Sequence, residues 1–267
     1  MEEQVYQLFS KIQKTHWWFV ARQIILEDIL KQRMGGKHGL LIADVGCGTG
    51  ALLPMLSQFG EAWGIDDSPT AVELCHRENF SNVYLNIDPA WQEAQFDLMT
   101  FLDVIEHVDD DVGFLQKYVG QLNPGGLVMI TVPALMLLWS DHDVLNHHHR
   151  RYASRRLRDV VLKAGLIPER ITYFNSFLFP IIASVRLAMR LKNSLQRFLS
   201  DNRRSPARTD FERNIPFING FLKLIFASER YFLRRFSFPI GTSLLCLASK
   251  PSIAAASNSP RLKEPVA

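Results

Sequence analysis

The segment Asp44–Gly50, with sequence DVGCGTG, constrains this chain more than any other stretch. The apolar run Leu40–Val45 leads into it and a predicted helix over residues 51–58 follows, so three glycines fall in a strand-to-helix turn. Glycine adopts positive φ without strain and lets a ligand approach the backbone closely. In an open α/β sheet, the first turn of this kind lies in the crevice where ligands bind. The sequence therefore predicts a ligand site at this turn.

Strand and helix signals alternate after the turn, which is typical of a parallel sheet with crossover helices. Helices are predicted from Ser68-Pro69, over 110–122 and over 154–164, and a turn at 123–126. Further strands are predicted at residues 62–65, 83–87, 96–102, 127–132, 167–174 and 242–249. We expect an α/β fold with a Rossmann-like, seven-strand, mostly parallel sheet, an N-terminal helical cap and a helical insertion before the last strand.

The ends of the chain differ from its centre. Two helices are predicted over 5–14 and 19–30, which makes residues 1–38 a helical cap on a main domain at 39–250. Residues 251–267 are small and polar and are predicted to be disordered. The sequence shows no run that predicts a secretory signal or a spanning helix. Three scattered cysteines favour a reducing compartment, and we expect a cytoplasmic protein.

Acidic residues follow four consecutive predicted strands. Asp44, Asp66, Asp88 and Asp103 each lie at a strand end, where parallel strands bring their carboxyl termini together. A carboxylate after the second strand can accept hydrogen bonds from both hydroxyls of a ribose. Single acids in such places often only cap strands and helices, but the whole set in this order favours a nucleoside site.

The glycine spacing discriminates between two classes of nucleoside ligand. It is GxGxG rather than the GxGxxG of dinucleotide-binding turns. Asp44 also places a carboxylate where a pyrophosphate would bind, so a cationic ligand suits the turn better. An NAD-dependent oxidoreductase remains the first alternative.

Four segments together resemble the successive motifs of class I S-adenosylmethionine-dependent methyltransferases: DVGCGTG, WGIDDS, FDLMTFLDVIEHV and LNPGGLVMITVP. The resemblance covers roughly residues 15–174. It implies S-adenosylmethionine as cofactor, with the first-strand acid and glycine turn at its methionine part, the second-strand acid at its ribose and the third near its adenine. The cofactor-binding residues implied along these motifs are Asp44, Gly46, Cys47, Gly48, Gly50, Asp66, Asp67, Asp88 and Asp103.

The segment His16–Arg22 precedes the first strand and is rich in aromatic residues. Trp17 and Phe19 can simply pack the first helix on the sheet, whereas Arg22 can pair with a carboxylate. The segment resembles the WWF…R entry of a bacterial branch that includes quinone O-methyltransferases. That resemblance implies that Arg22 reaches the methionine carboxylate, and Trp17 is taken with it as a cofactor contact.

Four of the eight histidines fall within eight residues, between Trp139 and Tyr152. A metal site and a solvated loop are two interpretations; we favour a substrate wall with a base, without a metal, because histidine titrates near neutrality. The segment resembles the D…HxxRRY signature of the same branch. Candidate catalytic residues are His142, Asp143, His148 and His107, and candidate substrate contacts are Trp139, His149, Arg151 and Tyr152.

A basic, phenylalanine-rich insertion at 175–238 follows an acidic first part. Residues 1–185 carry a net charge of −7 and residues 186–249 a net of +8. The period of residues 217–236 predicts a helix with one apolar face, comprising Ile218, Phe221, Leu222, Ile225, Phe232 and Phe236, and a polar face of Asn219, Lys223, Arg230 and Arg234. The insertion is either a lid on the sheet or, through residues 177–236, an element lying on an anionic membrane. So many phenylalanines argue against nucleic acid.

The combined prediction is an S-adenosylmethionine-dependent methyltransferase that methylates a hydroxyl of a hydrophobic or lipid-linked small molecule. A quinone, a polyketide and an envelope-glycan precursor all fit that class. A non-catalytic, cofactor-binding module that docks on membranes is the second alternative. The acceptor atom and the oligomeric state are left open by the sequence.

Overall fold

A computed structural model describes residues 12–199 and 216–252 of the 267-residue chain. Seven strands form one sheet in the order β3-β2-β1-β4-β5-β7-β6, in which β7 alone is antiparallel to its neighbours. This confirms the expected Rossmann-like sheet. The strands are β1 (Leu40–Val45), β2 (Gly60–Asp66), β3 (Val83–Leu85), β4 (Phe96–Leu102), β5 (Leu122–Pro133), β6 (Ile167–Phe174) and β7 (Ser243–Ser249).

Helices cover both faces of the sheet. They are α1 (Trp17–Met34), α2 (Leu53–Leu56), α3 (Pro69–Arg77), α4 (Pro89–Glu93), α5 (Asp111–Val119), α6 (Asp141–Leu145), α7 (Ser154–Lys163), α8 (Phe179–Leu199) and α9 (Pro216–Leu233). Short 3₁₀ turns at Ile105–His107 and Met136–Leu138 follow β4 and β5. Most of the predicted 5–14 helix and of the 251–267 tail lies outside the described residues.

The core has two layers, because successive residues of the central strands point to opposite faces. Met99 and Phe101 of β4 pack with α4, α5 and α7, while Leu98 and Leu102 pack with α1 and α9. Trp91, Tyr118 and the apolar residues of α7 fill the first layer. The strands are therefore apolar on both faces, as expected for a sheet covered by helices on both sides.

Several predicted boundaries differ from the structure, and three of the differences are informative. The helix after the glycine turn spans only Leu53–Leu56, and α5 ends at Val119 rather than at 122. The predicted turn at 123–126 is instead an irregularity inside β5, where the pairing with β4 shifts between Phe96 and Leu98. Gly125 takes φ +78 there, so the glycines accommodate extra residues without ending the strand.

The predicted apolar face of α9 is only partly correct, because Leu222 and Ile225 pack against the core but its phenylalanines do not. Phe221, Phe232 and Phe236 are exposed, whereas Phe226, Glu229 and Leu233 form the buried face. The polar residues are used for packing against α1: Asn219 accepts a hydrogen bond from the Trp17 backbone N–H, and Arg234 pairs with Asp28. Periodicity finds an amphipathic helix but does not say which side a neighbouring helix will cover.

Within the described residues, no helix has both the length and the apolar character needed to cross a membrane.

Candidate active site

A cavity of about 440 Å³ opens at the carboxyl ends of the central strands. Three parts of the chain line it: the start of α1, the glycine turn after β1, and one face of α8. The turns after β4 and β5 close its far side. The topology thus brings together segments that lie more than 150 residues apart.

The chain leaves β4, β5 and β6 through residues with left-handed backbone conformations. Asp103 has φ +61, Leu135 φ +61 and Asn175 φ +54. Positive φ is unfavourable for residues with a Cβ and clusters at functional sites, where the surrounding structure holds the strain. Asp103 and Asn175 both line the cavity. Two of these three strained turns therefore form part of the cavity wall.

The glycine turn needs its glycines for two reasons. All three adopt positive φ, at +74, +55 and +73 for Gly46, Gly48 and Gly50. A Cβ on Gly46 would lie 2.6 Å from Val104, whereas a Cβ on Gly48 would meet no atom of the described residues within 4 Å. Gly48 lines the cavity, so its bare backbone faces space that a ligand can fill.

Two buried carboxylates stand beside this turn. Asp44 lines the cavity and accepts a 2.5 Å hydrogen bond from the Thr100 hydroxyl. Burial raises the pKa of Asp44 to about 6 despite that hydrogen bond and the charge of Arg22. Asp66 accepts hydrogen bonds from the backbone N–H groups of Gly48 and Ser68, and burial raises its pKa. A cationic ligand beside Asp44 would offset the cost of its burial.

Arg22 and Asp103 form an ion pair at the cavity wall. The Nη2 atom lies 2.8 Å from the Asp103 carboxylate and donates to the Thr131 hydroxyl, also at 2.8 Å. The Trp18 ring packs 5.1 Å from the guanidinium. The Nε of Arg22 is buried without a hydrogen-bond partner among the described residues. Asp103 already balances the arginine's charge, so a ligand carboxylate would have to share it.

His148 is held by a fully buried carboxylate. Its Nδ1 lies 2.9 Å from Asp143 Oδ1, and Asp143 accepts hydrogen bonds from Arg151 Nε and Nη2 at 2.8 and 3.0 Å. Burial favours a raised pKa for Asp143, but the hydrogen bond from His148 and the charge of Arg151 outweigh it and hold the pKa far below its usual range. Asp143 therefore stays ionised and fixes the imidazole, while His148 lines the cavity.

Glu106 and His107 follow β4 on the same side of the cavity. The side-chain ligand atoms of Glu106, His107 and His148 all lie within 4.8 Å of one another. Glu106 is fully buried, and neither of its carboxyl oxygens has a hydrogen-bond partner among the described residues. Burial and the nearby Asp103 raise the pKa of Glu106, and burial lowers the pKa of His107 to about 4.

Helix α8 supplies the apolar side of the cavity. Ile181, Ile182, Val185 and Met189 line it. Two arginines of the same helix donate to backbone carbonyls of the loop after β5: Arg186 to Leu138 at 2.6 Å, and Arg190 to Trp139 and Met136 at 3.0 and 3.3 Å. These bonds tie α8 across the cavity mouth, so these two cations of the basic insertion are engaged within the protein.

The predicted site residues divide into two groups. Those that line the cavity are Trp17, Arg22, Asp44, Gly46, Cys47, Gly48, Asp103, His107, His142, His148 and Arg151. Gly50, Asp66 and Asp67 belong to or border the turn without lining it, and Asp143 acts on the cavity through His148. Asp88, Trp139, His149 and Tyr152 are not brought to it.

Each of these four residues has another structural use. The Asp88 carboxylate accepts the Ala90 N–H through one oxygen and caps α4, and its predicted contact with adenine stays a prediction. The Trp139 carbonyl accepts from Arg190, His149 pairs with Asp109 in solvent, and the Tyr152 hydroxyl is buried against Asp111. Closeness in sequence to the histidine cluster therefore did not show which residues line the cavity and which only hold the surrounding structure in place.

Several cavity residues were not predicted. Glu106 lies in the FDLMTFLDVIEHV motif, and its place one residue before His107 in a turn after β4 was the available signal. His16, Asn146, Asn175 and the apolar face of α8 also line the cavity. No local pattern marks these residues, because their position depends on packing between distant segments.

Comparison with known proteins finds related sequences and structures. A family model described as a methyltransferase domain matches residues 23–169, more than half of the chain. A ubiquinone biosynthesis O-methyltransferase from Acinetobacter baumannii is 31% identical over 112 residues, which are 38% of this chain and 47% of that protein. The chain thus spans about half the length of the curated relatives it matches.

Solved structures share the fold at low sequence identity. A complex of the Haloferax volcanii Trm112 methyltransferase activator with a methyltransferase contains a chain of TM-score 0.56 at 17% identity, with 92% of this chain and 94% of that chain covered. An S-adenosylmethionine-dependent methyltransferase from Archaeoglobus fulgidus gives a TM-score of 0.51 at 16% identity, with 85% and 94% covered. These likenesses concern the fold alone.

Proposed function

The chain belongs to the methyltransferase-domain family, and from this premise we propose that it transfers the methyl group of S-adenosylmethionine to a hydroxyl of a hydrophobic small molecule. The observation that carries the proposal is the Asp143–His148 pair, which presents an oriented imidazole to the cavity that the glycine turn also lines. S-adenosylmethionine supplies an electrophilic methyl group on a cationic sulfonium.

The residues around the turn fit this cofactor. Asp44 would hold its cationic amino group, because a buried carboxylate facing a cavity is stabilised by an opposite charge. Asp66 would accept from the ribose hydroxyls through lone pairs that its two backbone N–H donors leave available. The bare backbone of Gly48 leaves room for close approach, and Arg22, which lines the cavity, would pair with the ligand carboxylate while sharing its charge with Asp103.

His148 is the proposed base. Its Nδ1 faces the Asp143 carboxylate, which favours the tautomer with the proton on Nδ1 and leaves Nε2 to accept the acceptor's hydroxyl proton. Arg151 holds Asp143 by two hydrogen bonds and so fixes the pair. His107 and His142 line the same wall and would orient the acceptor.

The acceptor would lie with its apolar part against α8. The ubiquinone-pathway relatives match over 38% of the chain and support a quinone only loosely, so polyketides and envelope-glycan precursors stay in the proposed class. Exposed apolar side chains on the insertion, including Leu187 and Leu191 on α8 and Phe221 and Leu224 on α9, support a second part of the proposal. They would contact an anionic membrane that supplies a lipid-linked acceptor.

The first test follows the methyl group. Protein and methyl-labelled S-adenosylmethionine are incubated with lipid, glycan, protein and nucleic-acid fractions of a lysate. We expect label in an alkali-stable form in the lipid or small-molecule extract, and none with His148→Asn. Label in protein or nucleic acid, or no transfer to any fraction although the cofactor binds, would overturn the proposed acceptor class.

The second test concerns the membrane. The protein is centrifuged with vesicles of phosphatidylcholine alone or with added phosphatidylglycerol at low salt. We expect sedimentation with the anionic vesicles, weakened by Leu187→Asp and Leu191→Asp. Equal recovery in the supernatant with both vesicle types would refute the membrane part and leave methyl transfer untouched.

A further inference from the structure

Glu106 is the least compensated polar group in the cavity. It is fully buried, lines the cavity, and has two carboxyl oxygens without a partner among the described residues. Buried polar groups in native proteins are nearly always hydrogen-bonded, and an exception calls for a ligand or a catalytic use. Glu106 therefore requires an explanation that packing does not provide.

The charges around Glu106 are already balanced without it. Arg22 is paired with Asp103, and Arg151 with Asp143. The remaining neighbours are the imidazoles of His107 and His148, whose rings contact each other edge-on at 4.7 Å between centroids. Burial lowers the pKa of His107 to about 4, so that ring is neutral at physiological pH. An ionised Glu106 would thus be a buried charge whose nearby cations, Arg22 and Arg151, are already paired with other carboxylates, which is unfavourable.

We propose that Glu106 is held as a neutral carboxylic acid and donates a hydrogen bond to the acceptor oxygen as that oxygen loses its proton to His148. This assignment rests on the proposed methyl transfer and makes Glu106 a further catalytic residue. The 4.8 Å spread of the Glu106, His107 and His148 atoms allows a single oxygen to lie within hydrogen-bond distance of the acid and the base together.

The step balances with the groups present. The O–H bond of the acceptor breaks and its proton goes to His148 Nε2, while the oxygen forms a bond to the methyl carbon. The methyl–sulfur bond breaks, and the electron pair stays on the sulfur of S-adenosylhomocysteine. Glu106 keeps its proton throughout and stabilises the developing negative charge on the acceptor oxygen, as buried acids and oxyanion-hole donors do.

This chemistry narrows the acceptor class. A phenol or enol is much more acidic than an aliphatic alcohol, so a neutral imidazole removes its proton more readily, and a hydrogen bond from a buried acid lowers the pKa of that hydroxyl further. The structure therefore favours a phenolic or enolic hydroxyl over a sugar hydroxyl.

The protonation state can be measured without turnover. The pKa of Asp44 is raised to about 6 and that of Glu229 to about 7, so both are ionised at about pH 9, a pH at which the proposal requires Glu106 to keep its proton. We expect an infrared band of a protonated carboxyl group at that pH in the wild type and in Glu229→Gln, and none in Glu106→Gln. Absence of the band from the wild type would overturn the assignment.

Measurements of Tm and of methyl transfer distinguish a catalytic role of Glu106 from a structural one. Replacing an unpartnered buried acid by an apolar residue of similar size, Glu106→Met, should raise Tm, and transfer of label should fall about 100-fold. Glu106→Gln keeps a neutral donor and should retain transfer within about tenfold of the wild type. A lower Tm for Glu106→Met would indicate a structural role and contradict the proposal.

A cation provides the rival explanation. Calorimetric titration with Zn²⁺ or Mn²⁺ alone should show no binding that Glu106→Gln abolishes; such binding would mean that Glu106 is an anionic ligand. If no lysate fraction accepts label, the proposed function fails, while the infrared band still decides the state of Glu106.

Discussion

The two sides of the cavity are built in different ways. On the glycine-turn side, Asp44, Gly46 and Gly48 come from one short segment, and their geometry is set by β1 and its immediate turn. On the opposite side, α8 is held across the mouth by hydrogen bonds from Arg186 and Arg190 to a loop about 50 residues away in sequence. A local, rigid turn suits one constant ligand, whereas a separately attached wall suits an acceptor that differs between proteins of the same fold.

Among the proposed variants, His148→Asn should show the largest difference between the two sides of the cavity, because it should affect methyl transfer but not cofactor binding. Loss of a positioned base lowers methyl transfer by about 10²–10⁴-fold. Calorimetry should give an unchanged affinity for S-adenosylhomocysteine, because His148 belongs to the acceptor side. The exposed His149, which pairs with Asp109, is the matched control, and His149→Asn should retain activity. Equal losses in both variants would contradict the assignment of the base.

The glycine-turn side is tested by a pair of alanine substitutions. Gly48 and Gly125 both have positive φ, and within the part of the chain that the structure describes a Cβ on either meets no atom within 4 Å. Each Gly→Ala change should therefore lower the free energy of unfolding by about 1–2 kcal/mol. Only Gly48→Ala should weaken S-adenosylhomocysteine binding, by about tenfold or more, because its methyl group enters the cavity. Similar affinities for the two variants would mean that the ligand does not approach this turn.

The acceptor side is tested on α8 itself. Val185 lines the cavity, whereas Leu187, with a similar exposed fraction of 51% against 48%, does not. We expect Val185→Asp to lower transfer to detergent-solubilised acceptor by about tenfold, since a carboxylate then faces the acceptor's apolar part. Leu187→Asp should leave that rate unchanged. If both variants behave alike, α8 is not the acceptor wall.

The pH dependence of cofactor binding follows from Asp44. Its pKa is raised to about 6, so its charge is lost as the pH falls below that value. At pH 5 the affinity for S-adenosylhomocysteine should be about tenfold lower than at pH 8. The same raised pKa means that the folded state binds this proton more tightly than the unfolded state does. The free energy of unfolding of the ligand-free protein should therefore rise as the pH falls from about 6 to about 4. Asp44→Asn should remove both effects, and a persistent pH step would assign them to another group.

The smallest effect is expected outside the cavity. Asp88 caps α4 and is not among the cavity residues. Asp88→Ala should lower the free energy of unfolding by about 1 kcal/mol, the usual value of an N-cap, without changing ligand affinity. A clear loss of S-adenosylhomocysteine binding would support the adenine contact that the sequence predicts.

The same contrast explains what the sequence could predict. The apolar runs and turn residues gave β1, β4 and β6 with their observed bounds, and the N-cap at Ser68, because those features depend on neighbours in the chain. The orientation of α9 was predicted only in part, since it depends on Asn219 and Arg234 meeting α1, about 200 residues away. Glu106 was missed as a site residue because its burial and lack of partners exist only in the folded protein.

The histidine cluster shows most clearly what a sequence pattern does not predict. The pattern indicated that the residues from Trp139 to Tyr152 belong to the site, but not which side chains face it. Folding turns His148 and Arg151 toward the cavity and His149 toward solvent, because the short helix α6 and its capping box place Asp143 inside. Adjacent positions therefore differ completely in role.

The most direct test of the central claim is a calorimetric titration of the full chain with S-adenosylmethionine and, separately, with NADH at neutral pH. We expect one molecule of S-adenosylmethionine bound per chain, with binding weakened by Gly48→Ala and unaffected by Gly125→Ala, and no binding of NADH. Saturable binding of NADH at the Gly48 turn without binding of S-adenosylmethionine would contradict it.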